Sequence, residues 1–136
     1  MEEITKRVLI AEDSSGWQKF HSSLLKEYNN KKILYTISDC ARDALTLVQE
    51  NFESPYDLII TDLQMENDFS PKFAGEWLIE QIKTYNSYKK VPIVIMSAAY
   101  NIAFIAQTLN VDFLSKRSLI NNPDNYYLKL DEIFLV

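Results

Sequence analysis

Short β-rich runs and longer helical periods alternate from one end of the chain to the other. The runs are Val8 to Ala11, Ile33 to Ile37, Leu58 to Thr61, Ile93 to Met96 and Asp112 to Leu114. Most are continuously apolar rather than alternating, which suits strands covered on both faces, as in a parallel sheet. Between them apolar side chains recur at helical spacing: Trp17, Phe20, Leu24 and Tyr28; Ala41, Ala44, Leu45, Val48 and Phe52; Ala74, Trp77, Leu78 and Ile82; Ile102, Ile105, Ala106 and Leu109; and Tyr126 or Tyr127 with Leu130, Ile133 and Phe134. Each set draws one apolar stripe for a helix to lay on a sheet. The aromatic residues in these stripes, both tryptophans included, read as core. Asp39, Ser70 and Asn122 are placed to cap helix starts, and Pro71 and Pro123 suit first turns.

Five such alternations predict an α/β domain with a parallel sheet and right-handed crossovers. The length, 136 residues, fits one domain over 1–136. No apolar run approaches the roughly 20 residues of a spanning helix, and no basic region precedes an apolar stretch at the start, so neither a membrane segment nor a signal peptide is expected. Cys40 is the only cysteine, which rules out an internal disulfide and fits a cytosolic setting. The net charge of -5 disfavours direct nucleic-acid binding. Lys31-Lys32 and Lys89-Lys90 read as solvated turn edges.

In open α/β sheets, function gathers beyond the carboxyl ends of the strands. After the first strand come Glu12 and Asp13, after the third Asp62, after the fourth Ser97, and after the fifth Lys116. The second ends in Ser38-Asp39, read as a helix cap. The flavodoxin-like strand order 2-1-3-4-5 would bring the other four ends together. Three carboxylates in one pocket repel unless a cation intervenes. Magnesium, which favours a few carboxylates with water and phosphate oxygens, matches that set. Asp62 could then act as a nucleophile on phosphorus, with Lys116 and the ion neutralising charge on the transferring oxygens and Ser97 donating to one of them.

These residues, in this order, resemble the receiver domain of bacterial response regulators. The matching segments are Val8-Leu9-Ile10-Ala11-Glu12-Asp13, Asp57-Leu58-Ile59-Ile60-Thr61-Asp62, Val91-Pro92-Ile93-Val94-Ile95-Met96-Ser97-Ala98 and Phe113-Leu114-Ser115-Lys116. The resemblance implies that Asp62 accepts a phosphoryl group. It implies that Asp13 and Asp62 bind magnesium, with Glu12 acting through water and Gln64 through its backbone carbonyl. Lys116 is similar to the family's phosphate-pairing lysine, Ser97 to its switch hydroxyl, and Phe113 to the aromatic that turns with it, although a strand phenylalanine reads equally as core. The implied partners are a sensor histidine kinase or histidine phosphotransfer protein and a downstream protein target. The implied state is a cytoplasmic monomer or weak dimer, a signalling module that catalyses only its own phosphotransfer and dephosphorylation.

Departures accompany the likeness. The segment Glu66 to Phe73 lengthens the path from Asp62 to Gly75, and reads as a floppy insertion or as a lid or partner-contact element beside the acidic pocket, marked by Phe69 and Phe73 among acids. Glu66 and Arg117 stand where the family commonly has prolines. Without the proline, Lys116 precedes either a strained cis bond, costing about 2.5–4 kcal/mol, or a loop on another path. These departures lend weight to a pseudo-receiver, a protein-interaction module without phosphate turnover. An aspartate-nucleophile phosphatase would want a second acid where Gln64 stands, and a flavodoxin-like cofactor binder would have only Ser14-Ser15-Gly16 as a phosphate cradle. His21 reads as an ordinary helix-surface histidine and Cys40 as a small buried or half-buried side chain.

Overall fold

The apolar runs become the strands of a parallel sheet, each a little longer than or equal to the run that marks it. They are β1 (Thr5–Ala11), β2 (Lys32–Ser38), β3 (Leu58–Thr61), β4 (Ile93–Ser97) and β5 (Asp112–Ser115), in the order β2-β1-β3-β4-β5. Every neighbouring pair is parallel. The structure is a computed structural model that describes residues 4–65 and 74–135. The segment from Glu66 to Phe73, with Ser70, Pro71 and the suggested lid, lies outside the described residues.

Continuous apolar runs serve two cores at once, because successive side chains of a strand point to opposite faces. Leu9, Ala11, Ile59, Ile93 and Ile95 enter one core, beneath the helices α2 (Ala41–Glu50), α3 (Ala74–Lys83) and α4 (Ile102–Leu109). Val8, Ile10, Leu58, Ile60, Val94 and Met96 enter the other, beneath α1 (Ser15–Glu27), α5 (Lys116–Asn121) and α6 (Asp124–Phe134). Strand β2 lies at the edge and alternates between exposed and half-buried positions up to its buried end at Ser38.

Some expectations need correcting. Cys40, not Asp39, stands at the N-cap position of α2. Asn122 closes α5 rather than capping α6, and Pro123 takes the N-cap position of α6 instead of its first turn. Two short elements lack a long apolar stripe and were not foreseen: α5 itself and a single 3-10 turn at Asn86–Tyr88. Cys40 is half-buried, as expected. His21 is not on the surface. It is 1% exposed, and its Nδ1 shares a 2.6 Å hydrogen bond with the Tyr126 hydroxyl of α6. Helix α1 packs against both the sheet and α6, so its buried arc is wider than the stripe Trp17, Phe20, Leu24 and Tyr28.

Candidate functional site

Parallel strands that end at one edge deliver the side chains that follow them to one place. The Asp62 amide donates to the Ala11 carbonyl at 3.0 Å, which continues the β1–β3 ladder one residue past β3. The Glu12 amide donates to the Ser38 carbonyl at 2.9 Å, which does the same for β1 against β2. The acidic residues are therefore held by sheet backbone rather than by free loops. Carboxylate oxygens of Glu12, Asp13 and Asp62 lie within 4.8 Å of one another.

Lys116 reaches this cluster from the far side. Its ammonium is 2.6 Å from Glu12 Oε1 and 2.6 Å from Asp62 Oδ2, with all three side chains largely shielded from solvent. It opens α5 as the chain turns directly from β5, and Ser115 caps that turn by accepting from the Ser118 amide. Lys116 and Arg117 thus stand in a helical first turn directly after β5. The second oxygen of Asp62 accepts from the Leu63 amide at 2.7 Å. Glu12 Oε2 accepts from the Ser14 amide at 3.1 Å.

Burial raises the pKa of Glu12 above the usual carboxylate range; the hydrogen bond and charge of Lys116 and the Ser14 amide counter that rise, and the charge of Asp62 adds to it. Three carboxylates gathered round one ammonium make an acidic set that a divalent cation would suit. The donors are hard oxygens, the kind magnesium and manganese take.

Asp62, Gln64, Ser97 and Lys116 border one cavity of about 540 Å³, with Trp17, Ala99, Phe104 and Ile105 among its other walls. Ser97 is buried at the end of β4, and its Oγ accepts from the Ala99 amide at 3.1 Å. Gln64 is exposed. Phe113 is half-buried in β5, packed against the core beneath α2, α3 and α4. Every expected site residue other than Phe113 thus belongs either to the carboxylate cluster or to the wall of this cavity.

Residues without an expected part at the site also touch it. Trp17 places its ring centroid 4.9 Å from the Lys116 ammonium. Arg117 donates from Nε to the Ala98 carbonyl at 2.8 Å and lays its guanidinium 3.8 Å from the Tyr100 ring centroid. Nothing in their spacing announces these contacts; only the missing proline at position 117 hinted that the turn after Lys116 is built differently.

The model of the response regulator receiver domain matches residues 8–122. The chain belongs to that family. Among curated proteins it is 26% identical over 114 residues to the 3',5'-cyclic-nucleotide phosphodiesterase regA of Dictyostelium discoideum, covering 81% of this chain but only 13% of that protein. The solved structure of the phosphorylated cyanobacterial phytochrome response regulator RcpA superposes with a TM-score of 0.78 at 19% identity, covering 97% of this chain and 95% of that one. The Mn(2+)-bound form of response regulator Rcp1 has a TM-score of 0.68 at 25% identity, covering 82% and 81%. Receiver domains are signalling domains, and the fold here is theirs. None of the helices among the described residues is long and apolar enough to cross a membrane.

Proposed function

We propose that this domain accepts a phosphoryl group on Asp62 from a phosphohistidine donor, a sensor kinase or a histidine phosphotransfer protein, and so switches a protein-binding surface. The observation that carries the reading is the Lys116 ammonium bonded to Asp62 Oδ2 within a cluster of three carboxylates, Glu12, Asp13 and Asp62. In the transfer, an Asp62 carboxylate oxygen forms a bond to phosphorus as the phosphorus–nitrogen bond breaks, and the donor imidazole keeps the electron pair. Lys116 moves from the carboxylate to the phosphoryl oxygens and offsets their charge. Asp13 and Asp62, with Glu12 through water and the Gln64 carbonyl, would hold a magnesium ion. The chemistry such an ion would supply is charge neutralisation, for the acidic cluster and for the phosphoryl group.

The Ser97 hydroxyl, whose oxygen now accepts from the Ala99 amide, turns toward the phosphoryl group and donates its O–H to a phosphoryl oxygen. That motion draws in Ala98, Ala99 and Tyr100, and Phe113 follows into the vacated space. The face formed by α4, β5 and α6 changes shape. Phe104 of α4 and Leu128 of α6 are large exposed apolar side chains on the two helices of that face, available to a downstream protein. Phosphorylation biases an equilibrium between two arrangements of one fold.

The test is labelling by acetyl phosphate with magnesium, read by intact mass. The wild type gains one phosphoryl group and Asp62→Asn gains none. A wild type that stays unlabelled with several donors supports the pseudo-receiver instead.

A further inference from the structure

The geometry points to Trp17 as a positioning residue for Lys116: its indole confines the ammonium that the two carboxylates bind. The inference rests on the phosphoryl-acceptor reading above and concerns how that acceptor site is kept in order.

An ammonium carries three donors. Glu12 Oε1 and Asp62 Oδ2, each at 2.6 Å, account for two of them. The Trp17 ring lies against the same Nζ, its centroid 4.9 Å away. The electron-rich face of an indole attracts a cation but offers no lone pair to compete for its protons. A third carboxylate there would capture the ammonium; an aliphatic side chain would leave it free to swing on its four-carbon stem. The ring does neither, so Lys116 can pass from the Asp62 carboxylate to a phosphoryl oxygen without leaving its place.

The ring is itself anchored to the site. The Trp17 amide donates to Ser14 Oγ, and the Ser14 amide donates to Glu12 Oε2. The indole also packs edge-on against Phe20, with centroids 5.0 Å apart. Trp17, Glu12 and the start of α1 are therefore linked, and the indole forms part of the cavity wall beside Asp62. As a purely apolar stripe residue, Trp17 would do nothing for Lys116 that a leucine could not.

The experiment compares the full chain with Trp17→Phe and Trp17→Leu, labelled by acetyl phosphate over a range of magnesium concentrations. Trp17→Leu should be labelled about tenfold more slowly, and Trp17→Phe within about threefold of wild type, as a ring retained or lost over a desolvated cation implies. The half-saturating magnesium concentration should stay within about twofold in both, since the indole faces the ammonium rather than the carboxylates. Labelling of Trp17→Leu at the wild-type rate overturns the inference, and so does a Trp17→Phe protein as slow as Trp17→Leu. A second measurement does not depend on those variants folding: in Trp77→Phe, where Trp17 is the remaining tryptophan, beryllofluoride with magnesium should change the indole emission. Unchanged emission in a protein that takes up acetyl-phosphate label also overturns it. A wild type that takes no label removes the acceptor reading and this inference together, whereas the other failures remove this inference alone.

Discussion

Gly75 lies directly against the main chain of Asp62. A methyl group built on its Cα would stand 1.9 Å from the Asp62 carbonyl oxygen and 2.7 Å from the Leu63 Cα. The Gly75 amide donates to the Leu63 carbonyl at 2.9 Å, so the start of α3 is stitched to the residue after the proposed acceptor. The obstacle is backbone, which cannot rotate away. Gly75→Ala should therefore push Asp62 out of register with Lys116, cost about 1–3 kcal/mol of stability as overpacking does, and slow acetyl-phosphate labelling at least tenfold. Gly16→Ala is the control, since its methyl would meet only Ser14 Oγ at 3.8 Å; urea unfolding should find it at least as stable as wild type. Equal labelling of the two variants would show that the close approach is not needed.

That relationship marks the limit of what the chain reveals unfolded. Hydrophobic patterning located all five strands: β3, β4 and the end of β1 are buried on both faces and leave continuous apolar runs, whereas β2 at the edge and the partly exposed β5 leave mixed ones. The residues after β1, β3, β4 and β5 followed from topology, since parallel strands bring their carboxyl ends to one edge. Gly75 could be recognised as a landmark, but its contact with Asp62 arises only when α3 docks. Trp17 looked like one more core aromatic; the ammonium above it comes from a residue almost a hundred positions away. His21 was misplaced because a stripe drawn for one sheet omits the second neighbour, α6. Helix α5 is too short for periodicity to register, although Ser115 capping the Ser118 amide is the kind of local signal that marks a start.

Lys116 compensates buried carboxylates, and its loss should be felt most when no cation replaces it. In Lys116→Met, Glu12 and Asp62 lose their common partner. The influences that lower the Glu12 pKa are reduced to the Ser14 amide, so that group shifts further upward. Breaking a buried ion pair from one side costs about 3–5 kcal/mol. Urea unfolding without divalent ions should show a loss of that order. Added magnesium should restore more stability to Lys116→Met than it adds to wild type, because a ligand that binds the folded state stabilises it in proportion to its affinity there. Equal stabilisation of both proteins would mean that cation and ammonium do not serve the same charges.

Arg117 holds the loop that carries the proposed switch. Its bond to the Ala98 carbonyl and its stack on Tyr100 tie the start of α5 to the end of β4. One hydrogen bond is worth about 1 kcal/mol net, so Arg117→Ala should raise amide exchange at Ala99 and Tyr100 by about fivefold to tenfold. Arg117→Lys should behave like the alanine variant, because an ammonium has neither the Nε donor nor the planar face. Exchange unchanged in both variants would show that the loop is held by other contacts, with the Ser97–Ala99 bond the first to examine.

His21 makes acid stability a probe of the α1–α6 contact. Burial, aided by the charge of Lys116, lowers its pKa from 6.5 to about 3. The folded chain thus keeps the imidazole neutral while the unfolded chain takes up a proton below pH 6.5. Because the unfolded state binds more protons in this window, stability falls with falling pH. The contribution of neutral His21 is complete above about 6.5 and drains away toward about 3, at about 1.4 kcal/mol per pH unit once the unfolded imidazole is charged. His21→Asn keeps a polar partner for the Tyr126 hydroxyl and removes the titration. Urea unfolding of both proteins between about pH 7 and about pH 4.5 should show wild type losing about 2–3 kcal/mol more than the variant. Two parallel pH profiles would mean that His21 reaches water and protonates freely, contrary to its burial against Tyr126.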